Sequence, residues 1–158
     1  MEPRAERITL LAVHAHPDDE VIGTGGILAR YSASGAQVAL VCATRGEVGE
    51  IVDPEMKEEE VRPRLAQLRE QELRCACGVL GVHDLHFLDY RDSGMMGTDD
   101  NQNPAAFCQA DLEEAAGRLV GIIRELRPQV VVTYDEKGGY GHPDHIMAHR
   151  ITVAAFDA

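Results

Sequence analysis

Histidines and carboxylates are spaced for metal chemistry at two places in the chain. The first is His14-Ala15-His16-Pro17-Asp18-Asp19-Glu20, directly after the apolar run Ile8 to Val13. The second is Gly138-Gly139-Tyr140-Gly141-His142-Pro143-Asp144-His145, after the β-branched run Val130-Val131-Val132-Thr133. Either turn alone fits an ordinary helix N-cap, where an aspartate accepts backbone N–H bonds. Two of them after two strands point to one shared site. Pro17 fixes its own φ and biases His16 toward an extended shape, so an imidazole and two carboxylates share one tight bend. His16 and Asp19, three apart, can turn to one point while Asp18 stays close but unligated.

Adding His145 completes a His₂Asp set of three ligands, which leaves a fourth tetrahedral position for water, the pattern of a catalytic rather than a structural zinc site. Zn²⁺ is the expected ion, with Fe²⁺ left open. Such an ion brings the pKa of bound water toward neutrality, and Asp18 is placed to take the proton as general base while the water attacks a carbonyl. His142, oriented and kept protonated by Asp144, can stabilise the oxyanion and protonate the leaving amine. Tyr140 offers a further hydrogen bond. His145 and His149 also have the i,i+4 spacing of His-Glu-x-x-His zinc proteases, but Ile146 stands where the glutamate base would be, so His149 reads as a packing or helix-surface histidine. His83 and His86 have no acidic partner pattern, and His14 reads as a core histidine.

Such a site requires two strand ends at one edge of a sheet. Ile8 to Val13 is apolar throughout, as in a strand covered on both faces, and Gln37 to Ala43, Asp84 to Leu88 and Gln129 to Tyr134 read as three more strands. Helices are expected from about Val21 to Ser34 (Ile22, Leu28 and Tyr31 apolar), Val61 to Val79, Leu112 to Leu126 and Asp144 to Phe156, with Asp111 and Glu114 as N-cap and capping glutamate. Gly23, Gly25 and Gly26 do not match the G-x-G-x-x-G spacing of a dinucleotide turn and read as close-packing positions. The alternation of strands and helices predicts one domain over residues 1–158. Its fold is a three-layer α/β/α sandwich with a mainly parallel, Rossmann-like sheet, right-handed crossovers and both His-Pro-Asp turns at the carboxyl edge. Loops that leave the same edge after Ala43 and Leu88 are expected to line a ligand crevice.

With 158 residues, 44% of them hydrophobic, the chain can bury one substantial core. A formal net charge of −12 without a basic cluster argues against nucleic acid or an anionic membrane surface as a partner. No apolar run approaches the roughly 18 residues of a spanning helix, and Met1 to Arg7 lacks the apolar region of a signal peptide, so a cytoplasmic protein is expected. Cys42, Cys75, Cys77 and Cys108 are too scattered for a disulfide framework and read as reduced thiols. A nucleotide- or flavin-binding module is disfavoured, because His-Pro-Asp-Asp fills the place of a phosphate-cradling glycine turn.

The pair Ala15-His16-Pro17-Asp18-Asp19-Glu20 and Gly141-His142-Pro143-Asp144-His145 resembles the signature of the PIG-L/LmbE family of zinc-dependent de-N-acetylases. Arg91-Asp92-Ser93-Gly94-Met95 and the stretch from Val131 to Gly141 resemble the branch that holds the mycothiol-pathway deacetylase and the mycothiol-conjugate amidase. The resemblance implies that a small amino-sugar substrate, linked to inositol or a similar polyol, is the partner. It implies His16, Asp19 and His145 as metal ligands, Asp18 as base and His142 with Asp144 on the acid side. Tyr140 becomes a mobile substrate contact, and Arg91, Asp92 and Glu47 become contacts to sugar hydroxyls. Amidase action on a thiol conjugate is the alternative, and so is a metal-binding but impaired remnant, since members of this branch continue beyond the point where this chain stops. The oligomeric state is left open.

Overall fold

Four strands carry the apolar runs: β1 (Thr9–His14), β2 (Gln37–Cys42), β3 (Asp84–Phe87) and β4 (Val130–Val132). They form one all-parallel sheet in the order β3-β2-β1-β4, with Leu10 opposite Val38 on one side and Val130 on the other. The computed structural model describes residues 8–158; the Met1 to Arg7 segment, expected to be no signal peptide, lies outside the described residues. Between the strands run α1 (Gly25–Ala33), α2 (Glu58–Val61), α3 (Leu65–Leu80) and α4 (Leu112–Leu126), and after β4 come α5 (Gly138–Gly141) and α6 (Pro143–Phe156).

Side chains alternate across a strand, so each central strand feeds two cores. Leu11 and Val13 of β1 pack with Val41, Phe107, Leu119, Met147 and Ile151 under α4 and α6. Leu10 and Ala12 pack with Leu28, Leu40, Leu73 and Cys77 under α1 and α3. Every residue of β1 is buried, as a strand covered on both faces must be. The result is the expected three-layer α/β/α sandwich. Each fully buried Leu, Val or Ile contributes about 1.5–3 kcal/mol by leaving water.

Several local details differ from the sequence reading. β1 runs one residue past Val13, and the helix after its bend opens with a π-turn, Glu20–Thr24, before α1. Pro63 splits the helix expected from Val61 to Val79: its missing N–H is tolerated in the short 3₁₀ turn Arg62–Arg64 between α2 and α3. Ile22 and Val79 lie on the outer faces, 82% and 87% exposed, so Leu28, Leu73 and Cys77 carry the packing instead. A Cβ on Gly23 or Gly26 would meet nothing within 4 Å, so close packing does not explain those two glycines. Asp111 caps α4 as expected, accepting the Glu114 N–H, but the Glu114 carboxylate turns outward to Tyr90 and Arg118 rather than back to the cap. No helix among the described residues is long and apolar enough to cross a membrane.

Candidate active site

β1 and β4 lie side by side and point the same way, so the segments after their carboxyl ends meet. After β1 the chain bends through His16 and Pro17 to Asp18, whose φ of +106 is a region that non-glycine residues rarely adopt. The Asp18 N–H donates to Glu20 Oε2 at 2.9 Å, and its carbonyl accepts from the N–H groups of Val21 and Ile22. This conformation turns the Asp18 carboxylate outward, with 59% of the side chain exposed, onto Arg69 Nη2 at 2.9 Å. Arg69, from α3, also donates to the carbonyls of Pro17 and Gly46, which ties this bend to the loop after β2.

After β4, α5 is a tight glycine turn. Gly138 has φ +65, and a Cβ there would sit 2.8 Å from His145 Cβ and from the Ile146 N. His142 is the N-cap of α6, its Nδ1 accepting the Asp144 N–H at 3.2 Å, and Pro143 takes the first helical position, where a missing N–H costs nothing. Asp144 and His145, in that first turn, are driven into the interior beneath the first bend.

The two turns close on Asp19. Its Oδ2 lies 3.3 Å from His16 Nδ1 and 3.4 Å from His145 Nε2, and it accepts hydrogen bonds from the His16 N–H and from Tyr134. The other ring nitrogen of each histidine is engaged: His16 Nε2 faces Asp144 Oδ2 at 3.1 Å, and His145 Nδ1 faces the Gly138 carbonyl at 3.3 Å. With an ion bound, donors on those outer nitrogens would leave the inner nitrogen of each ring, the one facing Asp19, free to ligate it. His145 Nε2 is buried without a hydrogen-bond partner among the described residues. Each imidazole stands from Asp19 Oδ2 at roughly the 3.3 Å that separates two ligands held at about 2.0–2.1 Å by a small tetrahedral ion. His16, His142 and His145 also bring nitrogens within 4.8 Å of one another, as His16 does with Asp92 and Asp144, so the described residues can hold a metal ion.

Burial pulls the His16 pKa down, but its hydrogen bonds to Asp144, Asp19 and Asp92 outweigh this and hold it well above the usual value. Burial likewise opposes ionisation of Asp19, yet the close approach of the His145 and His16 rings and the hydrogen bond from Tyr134 keep it well below the usual carboxylate range. Asp92 is held at about 2 against its burial by the same His16. Asp18 is pushed up by burial, with Arg69 opposing. His142 is lowered to about 4, first by burial and then by the positive charge of His16.

These placements bring together most of the residues singled out in the sequence. Asp18, Asp19, His16, Asp92, Tyr140 and His142 all line one cleft of about 780 Å³, with Tyr140 at its mouth, 69% exposed. Asp144 needs correction: its carboxylate does not reach His142 but holds His16 Nε2 and the N–H and hydroxyl of Ser93. Its backbone N–H occupies His142 Nδ1, so Asp144 fixes the tautomer of His142 instead of keeping it protonated. Arg91 and Glu47 are not among the cleft-lining residues: Arg91 pairs with Asp100 and bridges to the Ala105–Phe107 strip, while the Glu47 carbonyl accepts from Arg62. His149 bonds the Tyr134 carbonyl, the packing role expected of it, and His14 is a core histidine on Thr24. Sequence reasoning missed Arg69, Tyr134 and Ser93. Arg69 carried no signal, being one of several arginines on a helix, whereas Tyr134 and Ser93 stood beside the quoted motifs without a role.

The profile of the GlcNAc-PI de-N-acetylase (PIG-L) family matches residues 11–156. Over 153 residues the chain is 56% identical to a 1D-myo-inositol 2-acetamido-2-deoxy-alpha-D-glucopyranoside deacetylase of Thermobifida fusca, covering 93% of this chain and 54% of that protein. It is 57% identical over 155 residues to the protein of the same name from Acidothermus cellulolyticus, covering 94% and 53%. The chain thus spans about half the length of the curated relatives it matches. Among solved structures, N,N'-diacetylchitobiose deacetylase from Pyrococcus horikoshii superposes with a TM-score of 0.73 at 27% identity, over 96% of this chain and 50% of that one. With the profile match running from the first strand to the last helix, the chain belongs to the PIG-L family of GlcNAc-PI de-N-acetylases.

Proposed function

We propose that this domain hydrolyses the acetamide of a GlcNAc-inositol-like amino sugar, with a divalent ion, Zn²⁺ first and Fe²⁺ second, held by His16 Nδ1, Asp19 Oδ2 and His145 Nε2. When bound, the ion supplies Lewis acidity to the amide carbonyl and to a water molecule. Asp18 takes a proton from the attacking water. His142, with Nδ1 occupied by the Asp144 N–H, has Nε2 left to donate toward the carbonyl oxygen as it gains charge. Asp18 returns its proton to the departing nitrogen, so that one water is consumed and acetate and a free amine leave. Tyr140 at the cleft mouth and Asp92 on its wall are placed to meet substrate hydroxyls. The four free cysteines suit the cytoplasm, where thiols stay reduced.

The observation that carries this reading is the separation of two adjacent carboxylates. Asp19 points at His16 and His145, while Asp18, turned away by its left-handed φ and gripped by Arg69, opens on the same cleft. Acetate release from N-acetylglucosaminyl-inositol by the metal-loaded protein is the test. The wild type is expected to release acetate, and Asp18→Asn to bind metal without releasing it; loss of metal from Asp18→Asn would overturn the division of roles. One observation favours a second reading. Ile51, Val52, Met56, Leu65 and Leu68 give the cleft an apolar wall that an inositol leaves unused, as an amidase acting on thiol conjugates would need. Faster turnover of such a conjugate than of the acetamide would select it.

A further inference from the structure

The turn that presents Asp18 is held from its buried side by a residue with no part in the hydrolysis itself. A non-glycine residue at φ +106 persists only where its surroundings over-determine it. Arg69 holds the carboxylate of Asp18 and the carbonyl side of the Pro17–Asp18 peptide, but leaves the N–H of that peptide untouched. That group is met by Glu20, 1% exposed, whose Oε2 accepts the Asp18 N–H at 2.9 Å. The other oxygen of Glu20, Oε1, is buried without a partner among the described residues. A carboxyl with an unpaired oxygen in such a place is costly, and a leucine would fill it without that oxygen but would take the acceptor from the Asp18 N–H. Beyond its contact with its own N–H, what the side chain does there is hold the Asp18 N–H.

We propose that Glu20 is a positioning residue: its Oε2 holds the Asp18 peptide in the left-handed conformation, and so keeps the Asp18 carboxylate facing the cleft instead of the His16–Asp19–His145 cluster. Glu20 thus grips the N–H of the Pro17–Asp18 peptide from below, while Arg69 grips its carbonyl and the Asp18 carboxylate. The kinetic half of this inference rests on the role proposed for Asp18; the conformational half does not.

Glu20→Gln retains an oxygen that can accept the Asp18 N–H, whereas Glu20→Leu removes the acceptor at similar volume. Amide hydrogen exchange of Asp18 in the metal-loaded protein reads the bond directly. Protection is expected to survive in Glu20→Gln and to fall by about 100-fold in Glu20→Leu. Acetate release is expected to change in parallel, with kcat of Glu20→Leu down by about 100-fold and metal affinity and KM within about threefold of wild type, and with Glu20→Gln near wild type. A merely structural role would lower stability and metal content together without singling out kcat. Should Glu20→Leu not fold, Glu20→Met carries the same comparison. Unchanged Asp18 exchange in the apolar variant, or equal loss in Glu20→Gln, overturns the proposal. A wild type that protects Asp18 yet releases no acetate overturns the deacetylase reading alone, and the exchange comparison still decides the role of Glu20.

Discussion

His16-Pro17-Asp18 and His142-Pro143-Asp144 are the same tripeptide at the same edge of the sheet, yet the two aspartates end in opposite environments. Asp144 enters a regular helix two residues after its N-cap, and is fully buried on Ser93 and His16. Asp18 takes a left-handed φ, feeds a π-turn and leaves its carboxylate more than half exposed on Arg69. The residues next in the chain make the difference. Asp19-Glu20 turns one carboxylate back to the His16 N–H and the other to the Asp18 N–H, which closes the first bend on itself. His145-Ile146 offers the second bend no such acceptors, so the chain continues as helix. One motif repeated does not mean one role repeated: the exposed copy suits proton transfer, and the buried copy suits holding a ligand in place.

The sharpest way to break this contrast is to neutralise each aspartate in turn. Asp18→Asn is expected to lower kcat by about 10²–10⁴-fold, the range for a general base, with metal content and melting temperature near wild type. Asp144→Ala is expected to do the converse. It removes the nearer acceptor from His16 Nε2, leaving only Asp92 Oδ1 at 3.4 Å, and leaves the Ser93 N–H unpaired, so metal affinity falls by about 10–100-fold, as for other partners behind a ligand. Equilibrium dialysis against a chelator and thermal unfolding, run on both variants, distinguish the two patterns. Equal loss of metal from both would collapse the contrast.

The fold was legible in the sequence because its signals were redundant: β1 needs cover on both faces, and α4 shows a clear apolar stripe with Asp111 at its start. The convergence of the turns was legible for the same reason, since parallel strands deliver their carboxyl ends to one edge. The roles within the site were less so. A tripeptide says nothing about φ at its third residue, so nothing marked Asp18 as strained, and the carboxylate of Asp144 was assigned to its neighbour in sequence rather than to His16, 128 positions away. Arg69 reaches Asp18 across 51 residues, and Tyr134 reaches Asp19 across 115. Contacts of that separation depend on side-chain directions that periodicity does not encode. Ile22 and Val79 show the complementary error: hydrophobic residues near the right spacing that the packing of α1 on α3 leaves outside.

Glycines extend the comparison of the two turns to smaller energies. Gly138→Ala asks a left-handed residue to accept a Cβ that would meet His145 Cβ and the Ile146 N at 2.8 Å, so backbone or helix must move. A cost of about 1–3 kcal/mol is expected from the strain, with His145 displaced and metal affinity reduced alongside. Urea unfolding with and without metal separates the two contributions.

Gly23 lies in the π-turn after the first bend, where the effect is expected to be smallest and opposite in sign. Its φ is not positive, and a Cβ there would enter open space. Gly23→Ala therefore leaves the folded state uncrowded and mainly removes conformations from the unfolded chain, which stabilises by about 0.4–1 kcal/mol. A stabilised variant with unchanged kcat would show that the first bend is held by the grips on Asp18 and not by glycine freedom downstream. A destabilised one would mean that the π-turn needs glycine at position 23, and that the first bend, like the second, depends on a residue without a side chain.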